Sequence, residues 1–234
     1  NDITTGGTSK DLTINANGAL TFAGNADALT ASGVLTVAAS GATSGGATLT
    51  STGNTAMTLG DKWTATSGTL ALVSGGTLNL NGKLETATTG DVTLTVTGAC
   101  TFADAKTLTS AAAATVSCAS TTAVGYTISA AGAVQVSGVW TGSGALSVTS
   151  TGSTVALNDD ITTTGGSSNV GVTCNSGAFT LADSKTMTSA GTTTLSAQSI
   201  ASAAYTMTSA GAVAITGPWT ATGAVSVTSS GSTI

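Results

Sequence analysis

Apolar and small polar residues alternate along this chain in short bursts, such as Tyr205-Thr-Met207, Val213-Ala-Ile215 and Val225-Ser-Val227. A period of two places one side chain inward and the next outward, which is the pattern of a half-buried strand. Gly and Ser stand between the bursts, as in Ser209-Ala-Gly211 and Thr222-Gly223, and set turns at intervals of roughly 6 to 8 residues. Apolar stripes of helical spacing are missing, and the chain carries one Glu and no Arg. The pattern predicts an all-β chain of about three short strands per roughly 20-residue coil.

The bursts recur. Thr186-Met-Thr-Ser-Ala-Gly returns as Thr206-Met-Thr-Ser-Ala-Gly, and then as Ser226-Val-Thr-Ser-Ser-Gly. With the central apolar residue as anchor, the series runs Leu29, Leu49, Leu72, Leu94, then Leu108, Ile128, Val148, Val172, then Met187, Met207, Val227. Its steps are 20, 23, 22, 14, then 20, 20, 24, 15, then 20, 20. Each set of four sums to 79, and the same interval separates Tyr126 from Tyr205 and Trp140 from Trp219. Likewise Thr101-Phe-Ala-Asp-Ala-Lys returns as Thr180-Leu-Ala-Asp-Ser-Lys, and Asn1-Asp-Ile-Thr-Thr as Asp159-Asp-Ile-Thr-Thr.

Strands of two to five residues cannot stand alone, whereas stacking like on like pairs every backbone N–H and C=O with the neighbouring coil. The reading is one continuous parallel β-solenoid, of either hand, over 1–234. It comprises about twelve coils in three tandem 79-residue units of four coils each (1–79, 80–158 and 159–234), with the short steps after Leu94 and Val172 as its irregularity. At ~4.8 Å per coil the rod is expected to be about 55 to 60 Å long. The first residues match the phase after Ala156-Leu-Asn158 and the last match Ser153-Thr-Val155. The chain is therefore expected to be a segment of a longer array.

Composition fits a thin column. Apolar residues make up 41% but aromatics only 3%, and Phe22, Phe102, Phe179, the three Trp and the two Tyr fall near equivalent phases, as core fillers do. Five Lys, no Arg and no His against ten acidic residues give a net charge of −5, which disfavours a nucleic-acid partner. No apolar run approaches the ~18 residues of a membrane span. Cys100, Cys118 and Cys174 do not recur between units, so they read as buried free thiols, with a bridge between Cys100 and Cys118 on adjacent coils as the alternative. Acidic, Arg-free repeats rich in Ser, Thr, Gly and Ala place the chain outside the cell or on its surface.

Little in the chain carries catalytic chemistry. Without His, nucleophile–His arrangements are impossible, and no catalytic or cofactor-binding residue is assigned. Asn158-Asp159-Asp160 offers oxygen ligands for a hard cation, with Asp159 and Asp160 as candidate ligands, against an Asx-type turn. Asp104 with Lys106, and Asp183 with Lys185, read as solvated corner pairs. The most function-like pattern is the hydroxyls flanking each anchor: Thr107 and Thr109, Thr127 and Ser129, Ser147 and Thr149, Thr186 and Thr188, Thr206 and Thr208, Ser226 and Thr228. With the anchors inward, these are expected to form one flat outward lattice, which resembles the ice-binding face of β-solenoid antifreeze proteins.

Asn17-Gly-Ala-Leu-Thr-Phe22, Gly33-Val-Leu-Thr-Val37, Gly76-Thr-Leu-Asn-Leu80 and Gly132-Ala-Val-Gln-Val136 resemble the coils of filamentous-haemagglutinin-type adhesins and autotransporter passengers. The resemblance runs through the whole chain and implies a right-handed parallel β-helix within a long secreted fibre. The expected function is the structural shaft of an extracellular filament or surface adhesin that stacks head to tail on itself and is not an enzyme. The alternative is an ice- or glycan-binding solenoid.

Overall fold

The computed structural model describes residues 2–22, 24, 27–53, 56–231 and 234, so Asn1, Ser232 and Thr233, on which the end phases partly rest, lie outside the described residues. Among the described residues there are 28 strands, from Ile3–Thr4 to Val225–Ser229, and no helix. Each of these strands pairs in parallel with strands one coil away, not with its chain neighbour as in a hairpin. This is the expected β-solenoid.

Three faces make up each coil. Face A carries Leu29, Leu49, Leu72 and Leu94 in register; face B carries Leu35, Met57, Leu78 and Cys100; face C carries Ala42, Trp63, Leu84 and Leu108. The chain visits A, B and C in turn. On face B ten steps lead from Leu12 to Val227, so a coil takes about 21.5 residues on average, within the usual range of solenoid repeats. The rod holds eleven rungs on that face rather than twelve coils, a rise of about 48 Å at ~4.8 Å per coil.

The register also corrects the coil count within each unit. Leu94 stacks on Val116, not on Leu108, whereas Leu108, Ile128, Val148 and Val172 form a column on face C. Met187, Met207 and Val227 belong to face B. The two short steps, from Leu94 to Leu108 and from Val172 to Met187, are therefore passages of two faces, not short coils. A 79-residue unit winds three and two-thirds coils, and each unit repeats the last with its strands moved round by one face. Lys106↔Tyr126↔Leu146 on face C accordingly reappears as Lys185↔Tyr205↔Val225 on face B. Three units close the cycle at eleven coils.

Inside, the column is filled one large residue at a time. Met187, Met207, Leu49 and Phe179 have no exposed surface, and Trp63 and Trp140 are 1% exposed. Phe102 stacks on Tyr126 with ring centroids 4.5 Å apart and meets Trp140 at 5.6 Å, so the aromatics are core fillers as expected. Trp63 donates its indole N–H to Ser44 Oγ at 3.1 Å, and Trp219 donates to Ser202 Oγ at 2.9 Å. A buried indole needs such an acceptor.

Corners use a second device. Inward serines at strand ends donate to a glycine carbonyl of the preceding coil: Ser51 to Gly33 (2.8 Å), Ser150 to Gly132 (2.7 Å), Ser209 to Gly191 (2.7 Å) and Ser229 to Gly211 (2.9 Å). A small hydroxyl fits the bend and satisfies a carbonyl where the ladder is interrupted. Cys174 lies on the rung above Ser150 and points its thiol at the Ser153 carbonyl, 2.7 Å away. It stands in for a corner serine. Gly138 and Gly217, which are equivalent in successive units, take φ of +96° and +112° at bends where a Cβ would strike the carbonyls of Cys118 and Ala197, so only glycine serves there.

Cys100 and Cys118 form a disulfide with Cα atoms 6.0 Å apart, which corrects the reading of both as free thiols. The bridge joins face B of one coil to the A–B corner of the next. It closes a loop of 18 residues, a length for which chain entropy gives about 3 kcal/mol.

Two outcomes follow from this packing. Met207→Asp places a carboxylate in a fully buried column and is expected to cost several kcal/mol or force protonation, roughly as for other buried charges, whereas Thr208→Ser is expected to be nearly silent. Urea unfolding of both variants checks the assignment of faces, and equal tolerance would refute it. Replacing Cys100 and Cys118 together by Ser is expected to lower the unfolding free energy by about 3 kcal/mol, measured against the unreduced parent.

Candidate functional surface

The hydroxyl residues of the expected lattice do not share a face. Thr107, Thr109, Thr127, Ser129, Ser147 and Thr149 lie on face C, while Thr186, Thr188, Thr206, Thr208, Ser226 and Thr228 lie on face B, higher up the rod. Each group makes a patch of three rungs with two side chains on each. Within the first patch Thr107 Oγ1 is buried, so that hydroxyl is not offered to solvent.

Register brings together a different set. Face B carries one outward column through Thr13, Thr36, Thr58, Asn79, Thr101, Thr122, Thr141, Thr162, Thr188, Thr208 and Thr228. Threonine occupies every rung but one. Face C has a similar column, Thr21, Thr43, Thr64, Glu85, Thr109, Ser129, Thr149, Thr173, Ser196 and Thr216. On face A the corresponding column is broken by Ala28, Ala71, Ala156 and Ala201. Strand propensity alone favours Thr at outward positions, yet the column on face B is the most uniform surface of the rod. Sequence spacing missed it because its members are not repeat-equivalent, and only the coil-to-coil pairing puts them in line.

The acidic residues act between coils. Asp160 Oδ1 accepts from the Thr186 N–H (2.7 Å) and hydroxyl (3.1 Å), and Asp2, its equivalent two units earlier, accepts from Ala28 N–H (3.0 Å). Both contacts span the same length of chain. Asp11, Asp91 and Asp183 likewise accept from Val34, Ala113 and Ala204 N–H groups of the following coil. Each carboxylate caps a backbone donor that the turning ladder leaves open.

Asp159 and Asp160, the candidate cation ligands, are thus engaged in different directions. Asp159 reaches down to Gly138 N–H at 2.8 Å and takes the Lys185 ammonium at 2.8 Å, while Asp160 reaches up to Thr186. No group of three metal-ligating side chains occurs among the described residues. Lys185 pairs with Asp159 on the preceding coil and not with Asp183, which corrects the expected corner pair. On face C Glu85 takes Lys62 at 2.9 Å and Lys83 at 3.5 Å as ion pairs.

These contacts shift titration. The Lys185 hydrogen bond holds the Asp159 carboxyl below its ordinary value against the opposing effect of burial, with Gly138 N–H adding to it, and Asp159 in turn raises Lys185. Lys62 lowers Glu85 in the same way. Burial pushes the Tyr126 and Tyr205 phenols far up, with Asp160 adding to the effect on Tyr205. Neither hydroxyl has a hydrogen-bond partner among the described residues; both act as core fillers at equivalent phases.

No family model, curated protein or solved structure matches the chain.

The Asp159–Lys185 clamp yields a pH dependence with two limbs. A depressed carboxyl contributes stability above its unfolded value near ~4 and loses it as pH falls through the folded value. A raised ammonium contributes below its unfolded value near ~10.4 and loses it as pH rises through the folded value. Melting temperature is expected to be flat between these limits and to fall outside them. Asp159→Asn should make both limbs shallower, the remainder coming from Glu85 on the acid side and from Tyr126 and Tyr205 on the alkaline side, and an unchanged profile in that variant would show that the pair is not coupled to folding.

Proposed function

We propose that this chain is a shaft segment of an extracellular filament or surface adhesin, a rod that lengthens by adding coil on coil. One observation carries the reading. The 79-residue unit preserves its vertical pairs while moving round by one face, so successive units continue the same rod and distribute their strands evenly over three faces. A rod built this way has no natural limit of length. The disulfide between Cys100 and Cys118 supports an oxidising compartment outside the cytosol. The Asp clamps support the same role, since their carboxylates tie coil to coil.

A second reading, binding of ice or of a glycan, is favoured by the threonine column of face B. A regular surface with a repeat of ~4.8 Å presents hydroxyls at fixed spacing, as a crystalline or polymeric ligand requires. The similar hydroxyl column on face C weighs against it, because a binding solenoid needs one face set apart.

Immunogold electron microscopy of cells that produce the chain separates the two. Labelled fibres projecting from the surface are expected; label confined to soluble particles would overturn the shaft reading. Thermal hysteresis on purified protein tests the second, with Thr101, Thr122 and Thr141 changed together to Lys. Activity that this triple variant abolishes would establish face B as the binding face, and its absence removes the ice reading.

A further inference from the structure

We propose that the last coil receives a second copy of this chain in one register, with Ile3 of the second copy on Trp219 and Leu12 of the second copy on Val225. The proposal rests on the shaft reading and specifies its joint.

Two coils within the chain serve as a template. The first coil stacks upward as Ile3↔Leu29 and Leu12↔Leu35, and its equivalents two units on stack in the same way as Ile161↔Met187 and Val170↔Thr193. What lies beneath Ile161 and Val170 is Trp140 and Leu146. The equivalents of that pair in the next unit are Trp219 and Val225, which form the last rungs of faces A and B. The chain therefore already contains, in its interior, the stacking of the residues equivalent to Trp219 under Ile3 and to Val225 under Leu12. Because eleven coils restore the starting face, face A of the second copy meets face A of the first.

Ile3 is 42% and Val225 37% exposed, whereas the template residues Trp140, Ile161, Leu146 and Val170 are all 1–2% exposed. In the template Trp140 N–H donates to the Asp160 carbonyl at 2.8 Å and Leu146 N–H to the Asn169 carbonyl at 2.9 Å. At the joint the same donors are Trp219 and Val225, and the acceptors are Asp2 and Asp11 of the second copy. Open strand edges of this kind pair with any matching edge, and here the side chains select one register. A following repeat in the same polypeptide would use the same register; between separate chains it is a docking interface.

Cysteine cross-linking of the 234-residue chain tests this, with Cys174→Ser as background because serine already occupies that corner on the rung below. Thr141↔Thr162 in the template maps onto Thr220 and Thr4 of the second copy, and stacked rungs ~4.8 Å apart fall within the roughly 4.4–6.8 Å Cα range of disulfides. A chain carrying Thr4→Cys and Thr220→Cys is expected to oxidise into a ladder at multiples of 22.0 kDa on non-reducing gels. A control carrying Thr13→Cys and Thr220→Cys, on different faces, is expected to stay monomeric. Equal ladders from both, or none from the first, overturn the register. A tandem of two copies joined through Ala-Leu-Asn distinguishes the deeper failure. One continuous rod of double length without cross-linking of separate chains overturns the docking and leaves the shaft, whereas a tandem that breaks into two rods overturns the shaft reading.

Discussion

Everything in this molecule depends on the demand that each strand's N–H and C=O groups be paired one coil above and one coil below. A parallel ladder of short strands has no other partner within reach, so every coil must return to the same three lines. Side chains then stack in columns whether or not they match. The inward columns are apolar and narrow, which is why the chain needs so few aromatics. Where the ladder breaks at corners, the unpaired groups are met by inward serines and by carboxylates reaching across to the next coil. The scarcity of charge and the placement of what charge there is have one cause: most of the acidic side chains complete the backbone pairing.

Much of this was legible in the residues. Alternation gave strands, Gly and Ser gave turns, and the spacing between Met187 and Met207 gave the length of a coil. What the spacing hid was which face each strand occupies. Leu94 and Leu108 both sit in Thr-Leu-Thr, because every outward position on every face meets the same solvent and every inward one the same column. Strands of different faces therefore look like successive rungs, and only the short steps after Leu94 and Val172 betray the change of face. The single hydroxyl lattice failed for the same reason.

Side-chain partners were less legible still. Asp159 and Asp160 are adjacent in sequence and suggest a shared ligand, but each is taken up by contacts between coils, Asp159 by Gly138 below and Lys185 above and Asp160 by Thr186 above. Lys185 passes over nearby Asp183 for a residue a whole coil away, since vertical neighbours are closer than sequence neighbours in a stacked rod. Cysteines that do not recur looked unpaired, although a bridge needs proximity and not periodicity. Cys174 became intelligible only once Ser150 was seen beneath it.

The mismatch between the 79-residue unit and the coil ties unit number to direction. Adding or removing one unit would add or remove three and two-thirds coils. Anything carried beyond the array is thereby displaced along the axis and also swung through a third of a circle. Copy number would act as an indexing mechanism: one unit more or fewer points a distal element in a new direction, and only changes in multiples of three restore the old one.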